Sequence, residues 1–266
     1  VRAVFGNLTI GQYIPGDSLV HKLDPRVKIF ITLVVITVLF LVSTMAGYGL
    51  VLLFILGAVL LAHLPMRFVM RGVRPLLFIL VLTFGLHLFM NEGRVLFRVG
   101  PLVATYEGAF KGFAMSMRLV LLVLATSILT LSTSPIELTD GIESILSPAR
   151  VLGVPAHELA MMMTIALRFI PTLLEETDKI MKAQMARGAD FETGNVVQKA
   201  KSLVPLLVPL FVSAFRRADE LAMAMEARCY RGGQGRTRMK QLRVGAKDIL
   251  AAIGSTAALV AVAVYL

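Results

Sequence analysis

Long uncharged blocks separated by short charged ones dominate this chain. No charge occurs from Ile29 to Ser43, where Val, Ile and Leu prevail. About 20 helical residues cross a bilayer, and Val27 to Ala46 supply them. Leu23-Asp24-Pro25-Arg26 opens that helix, with Asp24 placed to cap it and Pro25 at its first position. Gly47 breaks the block, and Tyr48 to His63 forms a second, closed by Leu64-Pro65. Pro75 to Met90 forms a third, and Gly112 to Leu131 a fourth that only Arg118 interrupts. Between the second and third, Arg67, Arg71 and Arg74 recur at helical spacing, which predicts a short interfacial turn. Arg94 to Lys111 predicts a polar-tipped loop or brief hairpin. Ile249 to Leu266 is uncharged again and predicts a fifth span of marginal length. Upstream, Gly11 to Ser18 collects turn formers around Pro15-Gly16 and reads as extended.

From Ser132 to Asp248 the pattern becomes amphipathic. Ser134, Pro135 and Glu137 start a helix as N-cap, first residue and capping-box partner. Its apolar Leu138, Ile142, Ile145 and Leu146 lie opposite Glu137, Asp140, Glu143 and Ser144, so it is too short and too charged to span. Two long helical stretches follow. His157 to Arg187 has Pro171 inside it, which predicts a kink, and Val196 to Arg228 contains Pro205 and Pro209. Gly188 and Gly194 bracket the turn between them, and a basic linker runs from Arg236 to Lys247.

Composition agrees with the blocks. The hydrophobic share is 57% and the mean hydropathy +0.79, beyond soluble proteins at roughly 45 to 50% apolar. The fold expected is an all-α membrane protein of about five transmembrane helices, plus a cytoplasmic domain of three helices, one short and two long. Lys and Arg number 27 against 17 Asp and Glu, a net charge of +10. With the N-terminus inside, 16 basic residues fall between Ser132 and Asp248, while the outer segments hold only Arg94, Arg98 and Lys111. That asymmetry places the N-terminus and the 132–248 region in the cytoplasm. Basic residues are not interleaved with aromatics and no base-reading motif occurs, so nucleic acid is not an expected partner. Val1 to Asp24 lacks the three-part pattern of a cleavable signal peptide. A single cysteine, Cys229, and four scattered histidines match neither a zinc spacing nor a haem motif, so no metal or cofactor is expected in this chain.

The two long stretches end alike. Ala183-Gln184-Met185-Ala186-Arg187 precedes Gly188, and Ala224-Met225-Glu226-Ala227-Arg228 precedes Cys229. The arginines are 41 positions apart, and at the same offset Asp178 matches Asp219 and Ile180 matches Leu221. A cation in a last helical turn complements the macrodipole, and Gly188 suits a left-handed cap, so capping alone accounts for Arg187. It accounts less well for Arg228, because Cys229 is a poor left-handed residue. The duplication favours a paired docking device, for which the arginine fork suits carboxylate partners. Met161, Met162, Met163, Met181, Met185, Met223 and Met225 are 7 of the 14 methionines, fit either for a surface that repacks against partners or for core.

Four groups of residues now carry a family likeness. They are Tyr13-Ile14-Pro15-Gly16-Asp17-Ser18 with His21 and Leu23-Asp24-Pro25-Arg26; Thr133-Ser134-Pro135 with Glu137-Leu138; Arg168-Phe169-Ile170-Pro171; and the two Ala-Arg endings. Over essentially its whole length the chain resembles the transmembrane (T) component, EcfT, of energy-coupling factor transporters, bacterial vitamin and metal importers related to ABC transporters. The resemblance implies a multi-pass protein of the bacterial cytoplasmic membrane with partners: two ABC ATPase subunits of the EcfA type and one membrane substrate-binding (S) subunit. It implies spans 1–4 within 1–131, a coupling domain over 132–248 and a last span over 249–266. ATP hydrolysis would lie in the partners, so this chain is not expected to be an enzyme. Ala186, Arg187 and Gly188, and Ala227, Arg228 and Cys229, are the implied ATPase-coupling motifs, with Cys229 replacing the family's usual glycine. Leu138, Ile142, Ile145 and Leu146, with Met161 and Met162, are the implied S-subunit contacts.

Two other classes compete. A stand-alone secondary transporter or channel needs ionisable groups at the midplane, for which only His87 and Arg118 offer themselves. A membrane enzyme finds no G-x-S-x-G, H-E-x-x-H, acidic metal pair or P-loop.

Overall fold

Asp24 and Pro25 begin the first long helix as their order dictates. In the computed structural model, which describes residues 13–99, 102–189, 191, 196–232 and 242–265, the Asp24 carboxylate accepts from the Arg26 backbone N–H at 2.9 Å. Helix α1 is Leu19–Lys22, α2 Pro25–Leu41, α3 Met45–Leu61 and α4 Met66–Arg71; a 3₁₀ turn at Arg74–Leu76 leads into α5, Leu77–Met90. An antiparallel ribbon of β1 (Val95–Val99) and β2 (Leu102–Thr105), with Phe97 opposite Ala104, is the brief hairpin expected before α6, Tyr106–Ser132. Then come α7 (Pro135–Leu146), a 3₁₀ turn (Ser147–Leu152), α8 (Ala156–Ala186), α9 (Val196–Ala227) and α10 (Ala246–Tyr265). Helices occupy all five blocks expected to cross. By length and composition Met66–Met90, Tyr106–Ser132 and Ala246–Tyr265 are long and apolar enough to do so, and Met45–Leu61 is a shorter apolar helix; Ala156–Ala186, expected outside the membrane from its charges, also meets that length and composition. The chain is an all-α membrane protein.

The chain divides into two compact units, one of Gly11–Ile145 with Gln241–Leu266 and one containing Leu146–Lys240. In the first, Val35, Leu39, Val51, Ile55, Leu121 and Leu259 join α2, α3, α6 and α10 in one core. Helix α5 buries none of its residues and exposes Leu77, Phe78, Val81, Leu82 and Met90. Apolar side chains facing outward are what lipid selects and water would not. What holds α5 is close backbone approach. A Cβ on Gly108 would lie 2.5 Å from the His87 carbonyl oxygen, and one on Gly112 would lie 3.1 Å from that of Phe84. Small residues one turn apart let membrane helices touch, since no hydrophobic force pushes them together in lipid. Gly108→Val should therefore cost about 1 to 3 kcal/mol. Thermal unfolding of the detergent-purified chain reads this, and an unchanged midpoint would show that α5 and α6 do not depend on that contact.

The turn-rich N-terminal segment is pinned to the end of α6. Ile14 N–H donates to the Leu131 carbonyl at 3.0 Å, and the Lys28 ammonium donates to the carbonyls of Ser132 (2.9 Å) and His21 (3.1 Å). The His21 ring bridges Ser18 Oγ (2.6 Å) and the Ile14 carbonyl (3.0 Å). A further link comes from the far end of the chain, where the Asp248 carboxylate accepts from the Asp24 N–H at 2.8 Å and from the Gly245 N–H at 2.8 Å. Asp24, Lys28 and Asp248 are all buried. The Pro15-Gly16 segment and Leu23-Asp24-Pro25-Arg26 thus form a clamp on which three span ends converge.

The two ionisable residues that a transport pathway would use, Arg118 and His87, have local partners. The Arg118 Nη2 donates to Tyr48 Oη at 2.7 Å and to the carbonyl of Val42, the C-cap of α2, at 3.1 Å, and Tyr48 donates to that same carbonyl. A guanidinium there answers the negative end of the α2 dipole. The ring of His87 bonds the Thr83 carbonyl one turn back.

Helix α7 starts as its sequence predicts, with Ser134 Oγ accepting from the Glu137 N–H at 3.2 Å. Its burial differs from the simple amphipathic expectation. Glu143, expected on the polar face, is buried along with Thr139 and Gly141, while apolar Ile136 and Ile145 stay exposed. Part of the reason is Gly141, which lacks the Cβ that would press on Pro25 and Ile29 at the start of α2.

Candidate functional site

Within the second unit, α8 and α9 terminate in the same hydrogen-bonded motif. At the end of α8, Gly188 N–H donates to the Met185 carbonyl and Ala189 N–H to that of Gln184, each at 3.0 Å. At the end of α9, Cys229 N–H donates to the Glu226 carbonyl at 2.8 Å and Tyr230 N–H to that of Met225 at 3.0 Å. Every donor and acceptor is displaced by the 41 residues of the sequence repeat. This is the Schellman ending, which uses helix-terminal carbonyls and requires a left-handed residue just past the cap. Gly188 supplies it with φ 87°, and Cys229 supplies it with φ 54°. The cysteine therefore does not abolish the cap; it forms it under strain, because a Cβ in this region costs about 1 to 2 kcal/mol. Cys229→Gly should recover about 1 kcal/mol at the α9 end. Slower amide exchange at Tyr230 would report the gain, and faster exchange would contradict this account of the motif.

Arg187 and Arg228 occupy the cap positions themselves. Both side chains are exposed, as are Ala186, Gly188, Ala227 and Cys229, and no carboxylate of the described residues pairs with either guanidinium. The structure does not bring the two ends together. Gln184 Nε2 donates to the Pro205 carbonyl, Glu176 meets Ser213 and Arg217, and Tyr230 Oη lies 3.4 Å from His157 Nε2. Those pairings run α8 and α9 antiparallel along their length. A helix of 31 residues is on the order of 45 Å long, so Arg187 and Arg228 stand at opposite ends of the hairpin.

One ionic clamp sits midway. Glu176 accepts from Ser213 Oγ and Arg217 Nη2, both at 2.6 Å. Those hydrogen bonds, from Ser213 first and Arg217 next, hold the Glu176 carboxyl below the usual carboxylate range. Its contribution is complete above that range and is lost only as pH falls through the depressed value. Glu176 and Arg217 are themselves 41 residues apart, so equivalent positions of the repeat meet with opposite charge. That signal was present in the sequence at the offset that aligned the arginines.

Apolar side chains also lie uncovered on this unit. On α9, Val204, Val208, Phe211, Val212 and Phe215 follow helical spacing and are each at least half exposed. Of the residues expected to meet a membrane partner, Met162 and Ile145 are exposed, whereas Met161, Leu138, Ile142 and Leu146 are half-buried. The α9 ridge, with five such side chains, is the larger surface. Among the described residues, no three His, Cys, Asp or Glu side chains are grouped to hold a metal ion.

The family model described as "Cobalt transport protein" (CbiQ) matches residues 16–239. Energy-coupling factor transporter transmembrane proteins EcfT are similar along nearly the full length. That of Thermosediminibacter oceani is 63% identical, covering 93% of this chain and 94% of its own. Those of Clostridium kluyveri and Bacillus subtilis are 57% and 51% identical, covering 93% and 91% of this chain and 92% of each relative.

Proposed function

Because the chain belongs to the CbiQ cobalt transport protein family, as an energy-coupling factor transporter transmembrane component, we propose that it carries ATP-driven motion from two ABC ATPase subunits to one membrane substrate-binding subunit. The observation that carries this reading is the pair of like arginine-capped helix ends at opposite ends of one antiparallel hairpin. Two separated ends of one design suit two copies of one kind of partner. Ala186-Arg187-Gly188 enters a groove of one ATPase and Ala227-Arg228-Cys229 a groove of the other. Each guanidinium there meets acidic side chains, which its planar fork binds in two places. The Schellman endings hold the arginines at rigid termini, and the Glu176 clamp makes α8 and α9 tilt as one body.

The substrate-binding subunit contacts the exposed apolar ridge of α9 with Met161 and Met162 of α8 and, separately, the α7 residues Leu138, Ile142, Ile145 and Leu146. Substrate, a vitamin or a metal ion, stays with that subunit and does not touch this chain. In this reading 1–131 holds the first four spans, 132–248 is the cytoplasmic coupling domain and 249–266 the last span, in the bacterial cytoplasmic membrane. ATP hydrolysis belongs to the partners. Affinity purification in mild detergent tests the assembly: two ATPases and one small membrane subunit should copurify. The isolated chain should neither hydrolyse ATP nor take up substrate in liposomes, and uptake by the chain alone would replace this reading with that of a stand-alone transporter.

A further inference from the structure

Three arginines outside the coupling machinery line one hollow. Arg67 and Arg71 on α4 and Arg74 in the following 3₁₀ turn lie between the end of α3 and the start of α5, and all three are exposed. With Met70, Val73 and Leu77 they line a hollow of about 480 Å³. No carboxylate of the described residues pairs with any of them. The Arg71 guanidinium lies 4.9 Å from the centre of the Phe68 ring, which limits the directions its fork can take. Two apolar side chains of its lining, Met70 and Leu77, are exposed, and so are Met66 and Phe78, the sequence neighbours of Arg67 and Leu77. Sequence spacing explains why the charges share a face, and general charge asymmetry explains why some cations stand at a membrane surface. Neither explains three unpaired guanidiniums gathered round one hollow with apolar flanks.

We propose that this hollow binds the phosphodiester headgroup of an anionic phospholipid. Arginine forks match phosphate oxygens in pairs of hydrogen bonds. Basic pockets at the ends of membrane helices suit such headgroups. The exposed Leu77 and Phe78 at the start of α5 provide the surface along which acyl chains run, which a soluble phosphate would not use. The lipid would seat α4 at the membrane surface and fix the entry of α5, a helix that buries none of its own side chains.

Native mass spectrometry of the full chain, delipidated and offered dioleoyl phosphatidylglycerol or dioleoyl phosphatidylcholine at equal concentration, tests this. Phosphatidylglycerol should bind in preference to phosphatidylcholine, and R67Q/R71Q/R74Q should weaken it about a hundredfold. R94Q/K111Q, with changes remote from the hollow, should bind as the unaltered chain does. If the glutamine variant does not fold, R67K/R71K/R74K keeps the charge while removing the forks, and it should lose about tenfold. Equal binding of the two lipids would overturn the proposal, as would full phosphatidylglycerol affinity in either arginine variant. Displacement of the lipid by inorganic phosphate at matching concentration would assign the hollow to a soluble anion instead.

Discussion

With both Arg187 and Arg228 replaced by alanine, the chain is expected to fold and insert normally yet purify without its ATPases. The fold should survive because both side chains are exposed and the terminal carbonyls are bonded by backbone N–H groups, not by the guanidiniums. On the proposed reading, binding should fail because the acidic group that meets each guanidinium in an ATPase groove would lose its cation. Truncating one partner of a desolvated, hydrogen-bonded charge pair costs about 2 to 5 kcal/mol. That corresponds to roughly 30-fold to several thousandfold in affinity at each end. Single variants should weaken assembly and the double variant should abolish it, since the second contact supports the first by effective concentration. Arg→Lys at both positions should recover part of the affinity, as a point charge without the fork. Pull-down of the ATPases on tagged chain reads each step, and copurification at the normal ratio with the double alanine variant would remove the arginines from the interface.

The second large effect is expected at Lys28, where Lys28→Met keeps the aliphatic stem and deletes the ammonium. That ammonium donates to two carbonyls, those of His21 and Ser132, in a buried setting. Hydrogen bonds from a charged donor contribute about 1.5 to 3 kcal/mol each, and carbonyls left without a partner cost more than the mean suggests. A loss of about 3 kcal/mol is expected, with the N-terminal segment released from α6. Thermal unfolding and protease sensitivity near Tyr13 to Leu23 would register it. A variant as stable and as resistant as the unaltered chain would show that the clamp contributes nothing.

Sequence pattern reached the elements because lipid and backbone impose simple rules. Uncharged blocks became helices, Asp24 and Ser134 became the caps their positions demand, and the first part of the Arg94 to Lys111 stretch became a two-stranded ribbon, Val95–Val99 with Leu102–Thr105, while Tyr106 to Lys111 joined the following helix. Local pattern could not reach pairings between distant segments. Nothing near Asp248 says that it accepts from Asp24 N–H, 224 residues away, and nothing near Gly108 says that the α5 backbone lies against it. The helix ends fell between these cases. The repeat of Ala-x-x-Ala-Arg was legible, as was the left-handed role of Gly188. Cys229 taking the same conformation was not, because intrinsic preference opposes it and only the Met225 and Glu226 carbonyls decide it. On α7 the apolar stripe misjudged the buried face, since helical periodicity does not register the close approach that Gly141 allows.

Coupling itself is tested most directly by uptake in proteoliposomes holding this chain, the two ATPases and a substrate-binding subunit, with ATP hydrolysis followed in the same vesicles. With R187A/R228A and the ATPases enclosed in the vesicle lumen, where they no longer dock, hydrolysis should continue while ATP-driven uptake falls to background. Uptake at the unaltered rate would contradict the account, because motion would then be reaching the membrane by a route that does not pass through Arg187 and Arg228.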